Sequence, residues 1–99
     1  MKPKRKVKFE KDARLDLADA YDWYAAKNHF LGERFLDSIS ETTHFLEQNP
    51  LIFQKVYKNF RQAPIKIFPY ILVYKIEENE VIIYRVFHTK RNPVKKYKK

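Results

Sequence analysis

The segment VFHTKRNPVKKY, Val86 to Tyr97, places one histidine, one tyrosine and four cations within twelve residues. Metal-free RNA cleavage needs a base near the 2′-hydroxyl, cations for the charge developing at phosphorus, and an acid for the departing 5′-oxygen. His88, Arg91 and Tyr97 are side chains of those types, and Lys66 adds a cation from further upstream. Arg61, Lys90, Lys95 and Lys96 form a basic set suited to a nucleic-acid or acidic protein partner. Each also has a plainer use. His88 ends a strand on the face of Ile82, Tyr84 and Val86, where it can bond a backbone group. Arg91 can hold a turn, and Tyr97 sits among lysines near a terminus.

These residues have only a small domain to position them. Ninety-nine residues make a single domain over 1–99, and fifteen of them are Phe or Tyr, which supply much buried area each. One glycine in the chain argues against a phosphate-cradling glycine loop. The absence of cysteine excludes disulfides and thiolate metal sites. His29, His44 and His88 are widely spaced along the chain, so neither a metal nor a cofactor is expected. No apolar run approaches membrane-spanning length and the N-terminus MKPKRKVKFEKD lacks a signal-peptide core. The expectation is a cytoplasmic protein without membrane contact.

Charge is unevenly distributed. The formal total is +9, but residues 12–48 carry eight acids against three bases, while residues 49–99 carry twelve bases against three acids. Such segregation suits an acidic or polyanionic partner for the basic part.

Periodicity supplies the elements. KVKFE alternates as a short strand with Val7 and Phe9 on one face. Asp12 is then a candidate N-cap for a helix whose apolar stripe runs Ala13, Leu17, Ala20, Tyr21 and Tyr24. KNHFLG, Lys27–Gly32, breaks the pattern, and a second helix carries Leu31, Phe35, Ile39, Thr42 and Leu46 up to Pro50. Strand-like runs follow in FQKVY, FRQAPIKIF, YILVYKI and VIIYRVFH, the last two joined by EENE. The order β-α-α-β-β-β predicts an α+β domain, a helical hairpin packed on a small antiparallel sheet.

DLADAYDWYAAKNHFLGERFLDSI, FPYILVYKI and VFHTKRNP, in that order, resemble the RelE/ParE superfamily of bacterial type II toxins, the ParE-like branch above all. The carriers are the pair Trp23–Tyr24, LGERF opening the second helix, NP closing it, FPY before a strand, and His88-x-x-Arg91-x-Pro93 after the last strand. The resemblance implies a growth-inhibiting toxin held by a cognate acidic antitoxin, with promoter DNA read only through that antitoxin. It implies either of two targets, DNA gyrase or ribosome-bound mRNA.

In RNase relatives an arginine past the last strand and a tyrosine six residues later contribute to cleavage, and Arg91 and Tyr97 match that spacing. The same relatives carry lysines on the strand before the position of Tyr70, and an arginine just after it. Here Gln62, Pro64 and Ile71 stand near those places, with Lys66 remaining. Losing a cation where charge develops costs on the order of a few kcal/mol of barrier. These departures favour the ParE-like branch, for which the resemblance implies an inhibitor that binds a protein target, with DNA gyrase as the target expected. A ribosome-dependent mRNA endonuclease is the alternative, and a non-toxic relative the third. Generic sequence-specific RNA binding lacks support, since the strands carry no aromatic RNP-like motif.

Overall fold

The computed structural model of the protein describes residues 5–90. In chain order it contains β1 (Lys6–Phe9), α1 (Lys11–Lys27), α2 (His29–Gln48), β2 (Lys55–Tyr57), β3 (Phe60–Pro64), β4 (Tyr70–Glu77) and β5 (Glu80–His88). The α+β architecture with a helical hairpin on one sheet is the expected one. FQKVY contributes a short strand of its own, so four strands rather than three follow the hairpin.

The sheet order is β1-β5-β4-β3-β2. Strands β2 to β5 pair antiparallel, but β1 lies parallel to β5, with Val7 opposite Val81 and Phe9 opposite Ile83. The sheet is therefore mixed. Tight turns force β2–β3 and β4–β5 to run antiparallel, whereas β1 reaches its neighbour through the whole helical hairpin and is free of that constraint.

Local chemistry explains the helix ends. Glu10, not Asp12, is the N-cap of α1, and Asp12 lies inside the first turn, where its charge favours the helix dipole. The expected six-residue break shrinks to Asn28. Its backbone N–H donates to the Tyr24 carbonyl at 3.0 Å, closing α1, and its Oδ1 accepts from Phe30 N at 2.9 Å, capping α2. One residue thus serves both helices. Gly32 allows them to close, because a Cβ there would stand 2.9 Å from Ala25 Cβ and 3.0 Å from a Tyr21 ring carbon.

Between the layers Phe35 packs against Tyr24, Phe68 and Tyr70 at ring separations of 5.4, 5.4 and 5.2 Å. Leu46, Leu72, Tyr74, Val81, Ile83 and Val86 extend this core, all buried. Phe60, Val73 and Phe87 form a second, smaller cluster, with Ile71 and Tyr84 packed against it. Val73 alternates with Leu72 and Tyr74, which places that cluster on the sheet's other face.

Two irregularities redirect side chains. Val73 pairs with Arg85 but Tyr74 with Ile83, so Tyr84 is an extra residue on β5, a bulge. Beyond it the inward set changes phase. The strand β3 stops at Pro64, and Ile67 then adopts φ 76 while Phe68 N donates to the Lys66 carbonyl at 2.8 Å. That i→i+2 bond is a γ-turn with its central residue in the left-handed region, a costly place for a β-branched side chain. Ser38 Oγ donates to the same Lys66 carbonyl at 2.6 Å and anchors the turn to α2.

Candidate functional site

His88 is the last residue of β5 and the cross-strand partner of Tyr70, the first of β4. Their rings meet edge to face, with centroids 5.0 Å apart. The backbone N–H of Lys90 donates to His88 Nδ1 at 3.2 Å, and Thr89 N donates to the Pro69 carbonyl at 2.8 Å, continuing the pairing past the strand end. A ring nitrogen that accepts carries no proton, so in this geometry Nε2 is the donor face of the ring. Without the bulge, His88 would share a face with Ile82 and Tyr84, as strict alternation predicts. The extra residue instead places His88 and Val86 on the helix-covered face with Ile83 and Val81, and sends Tyr84 to the second cluster.

His88 therefore opens into a hollow of about 230 Å³ between α1 and the β4–β5 pair, lined also by Asp19, Trp23, Tyr70 and Phe87. Its deeper wall is an ion pair that single-sequence reasoning missed. Arg85 Nε and one terminal nitrogen donate to the two carboxylate oxygens of Asp16, at 2.7 and 3.0 Å, and Val86 N donates to Asp16 Oδ2 at 3.0 Å. The hydrogen bond to Asp16 raises the Arg85 guanidinium further above its already high value. Asp16 and Arg85 are 69 positions apart. No local spacing links them, and only the parallel placement of α1 along β5 brings them face to face. Trp23 stands half exposed at the rim, with the Lys27 ammonium 4.4 Å from its ring centroid.

The other cations lie elsewhere. Lys66 follows the end of β3 and pairs with Glu41 on α2 at 2.8 Å, a hydrogen bond that raises its ammonium above the usual value. It lines a second hollow, between α2 and the start of the β2–β3 region, and not the one that holds His88. Arg61, on β3 beside the edge strand β2, donates to the Phe53 carbonyl. Lys90 is exposed beside His88. Arg91, Tyr97, Lys95 and Lys96 lie outside the described residues. Ile71, standing where the RNase relatives carry an arginine, packs as a hydrophobe against the second cluster.

Chemically, the α1-side hollow offers one imidazole able to exchange a proton, and an arginine whose charge Asp16 already compensates. Lys66 is held away from it. Among the described residues no three His, Asp or Glu side chains gather closely enough to hold a metal ion. Among them, too, no helix is long and apolar enough to cross a membrane.

Comparison with known proteins places this geometry in a lineage. The sequence profile described as ParE toxin of type II toxin-antitoxin system, parDE, matches residues 7–93. The chain belongs to the ParE toxin family. Among solved structures, this ParE-family chain superposes on one from the chromosomal ParDE toxin–antitoxin system of P. aeruginosa. The TM-score is 0.72 at 21% identity, over 87% of this chain and 97% of that one. It also resembles a chain of the RelBE2 toxin–antitoxin complex from Mycobacterium tuberculosis. There the TM-score is 0.61 at 25% identity, over 86% of this chain and 98% of the other. No curated protein matches the sequence. The two-helix hairpin on a sheet predicted from periodicity is thus the fold of the family.

Proposed function

We propose that this ParE-family protein is the toxin of a type II toxin–antitoxin pair and arrests growth by binding DNA gyrase, without chemistry of its own. The observation that carries the reading is the separation of the candidate catalytic groups. His88 faces the hollow beside α1, Lys66 is tied to Glu41 beside α2, and Ile71 fills a place where a cleaving relative carries a cation. An RNase that stabilises developing charge needs its cations converging on one phosphate. The family match to a ParE profile supports the same branch. The partner that silences the toxin is a cognate acidic antitoxin: both structural relatives come from toxin–antitoxin systems, and the basic second half of this chain suits an acidic partner.

The test is a supercoiling assay with purified gyrase and the full chain. Inhibition at micromolar protein is expected, and unchanged supercoiling sinks the gyrase reading. Primer extension on messages from arrested cells reads the alternative. Cleaved messages that become intact with Arg91→Ala, in a chain that still folds, establish an endoribonuclease instead.

A further inference from the structure

The hollow beside α1 contains more than His88. Asp16, Asp19 and Trp23 stand at i, i+3 and i+7 on α1 and so share one face, and all three line the hollow. Ala20 lies between them, and its short side chain leaves the space open. Tyr70 and His88 form the wall on the sheet side, their rings edge to face. At about 230 Å³ the hollow is smaller than small-molecule sites, which run roughly 300–1,000 Å³. Its size suits one long side chain.

The deep end already shows what such a space can hold. Asp16 takes the Arg85 guanidinium through two hydrogen bonds, at 2.7 and 3.0 Å. Three residues further along α1, Asp19 offers the same carboxylate with no hydrogen bond or ion pair to any other described residue. It is exposed, as is Trp23, whose ring draws the Lys27 ammonium to 4.4 Å from its centroid. From Leu15 to Ala26 the chain carries Asp16, Asp19 and Asp22 and no Lys or Arg, in a protein whose formal charge is +9. A carboxylate and an indole four positions apart on one helix face are the two halves of a guanidinium site. The carboxylate accepts from the planar fork, and the ring stacks against it.

We propose that the outer part of this hollow receives an arginine side chain of a protein partner, paired with Asp19 and stacked on Trp23. The partner is the toxin's target and not its antitoxin. An acidic antitoxin suits the basic second half of the chain, whereas this face of α1 attracts the opposite charge. The identity of the partner rests on the functional reading, but the site is tested without it. Lys27 competes for the ring, so an incoming guanidinium displaces it.

Trp23 is the chain's one tryptophan, so its fluorescence and its indole N–H resonance report on this site alone. The probe is the capped peptide acetyl-Gly-Arg-Gly-amide, titrated into the full chain up to high millimolar concentration. A saturable shift of both signals is expected. The same peptide with citrulline keeps the shape and loses the charge, and should bind about tenfold more weakly. Asp19→Asn should weaken the arginine peptide by about the same factor. Lys27→Gln frees the ring and should tighten binding about threefold. Both positions are exposed, and a circular dichroism melt verifies that each variant folds. No saturable shift, equal binding of the citrulline peptide, or unchanged affinity in Asp19→Asn overturns the proposal. A stronger response to uridine monophosphate also overturns it, because the ring then serves a nucleotide.

Gyrase supercoiling separates the site from the functional reading. Inhibition by the wild-type chain is expected to weaken about tenfold in Asp19→Asn. Equal inhibition by both chains overturns the placing of this site at the target and leaves the gyrase reading standing. A wild-type chain that binds the arginine peptide yet leaves supercoiling unchanged removes the gyrase reading and keeps the arginine site.

Discussion

At the scale of single residues the structure depends on polar groups satisfied from afar. Asp16 accepts three hydrogen bonds, two from Arg85 and one from Val86 N, and holds α1 to the last strand next to the bulge. Removing the carboxylate takes two hydrogen bonds from a partly buried guanidinium and one from a strand N–H. Asp16→Ala is expected to cost about 1.5–3 kcal/mol, the range for hydrogen bonds to charged groups. Urea unfolding measures it, and a double-mutant cycle with Arg85→Ala gives a coupling clearly above zero. A coupling near zero shows the pair to be incidental.

Tyr74 is a second case. Its ring is fully buried and its hydroxyl donates to the Pro50 carbonyl at 2.7 Å. Burial, slightly offset by the charge of Arg61, pushes the phenol from 10.0 up to about 12. Tyr84 moves the same way, to about 12, through burial and its bond to Glu77. For an acid raised in the folded state, the unfolded chain ionises first. The stability is fully present below pH 10.0 and is lost as pH rises toward about 12. Tyr74→Phe loses about 1 kcal/mol at neutral pH with its hydrogen bond. It also flattens the fall in urea stability across the alkaline window. An unchanged alkaline slope shows that Tyr74 does not ionise differently in the two states.

At the scale of elements, the helical hairpin depends on its one glycine. A methyl at position 32 meets Ala25 Cβ at 2.9 Å, next to backbone that cannot swing away. Helix propensity gains up to about 1 kcal/mol from Gly to Ala, but overpacking costs about 1–3 kcal/mol. Gly32→Ala is therefore expected to lower the melting temperature, and a rise shows that the helices have room to part.

The same elements show what a sequence can and cannot carry. Alternation in VIIYRVFH and the 3.6-residue stripe through Phe35, Ile39 and Leu46 were legible because one buried face writes a period. Asn28 was harder to read, since KNHFLG has the composition of a loop while one side-chain oxygen suffices to restart a helix. The bulge at Tyr84 was invisible because it leaves composition unchanged and shifts only the phase, which reassigned the face of His88. The turn at Ile67 violates local preference outright. A β-branched residue at φ 76 persists because Ser38 and the flanking core hold its neighbours. Of the candidate site, the residue types were legible and their grouping was not. Nothing local says that Lys66 turns to Glu41 or that Arg85 finds Asp16.

At the scale of the whole molecule, electrostatics work against compactness. The formal charge of +9 means that Lys and Arg outnumber Asp and Glu by 21 to 12. Among the described residues, Lys8–Glu80 at 3.9 Å and Lys66–Glu41 at 2.8 Å are exposed ion pairs. Exposed pairs contribute about 0–1 kcal/mol each, and salt weakens that further. Repulsion among like charges over a small domain is also screened by salt, but it opposes folding, so the two effects have opposite signs. Few weak attractions stand against a large unbalanced charge, so repulsion should dominate. Sodium chloride raised from low to moderate ionic strength is expected to raise the melting temperature of the free protein. A fall shows that its surface ion pairs outweigh the net charge. An acidic partner supplies the same neutralisation more specifically, adding RT ln(1 + [L]/Kd) to the stability of the folded chain. Because carboxylates on the partner replace counterions, the gain on binding should itself shrink as salt rises. Melting the protein alone and with a glutamate-rich peptide that carries leucines at helical spacing, at both ionic strengths, separates the two effects. The peptide-induced rise should be larger at low salt, where the free chain is least stable, and a salt-independent rise means that apolar contact alone holds the partner.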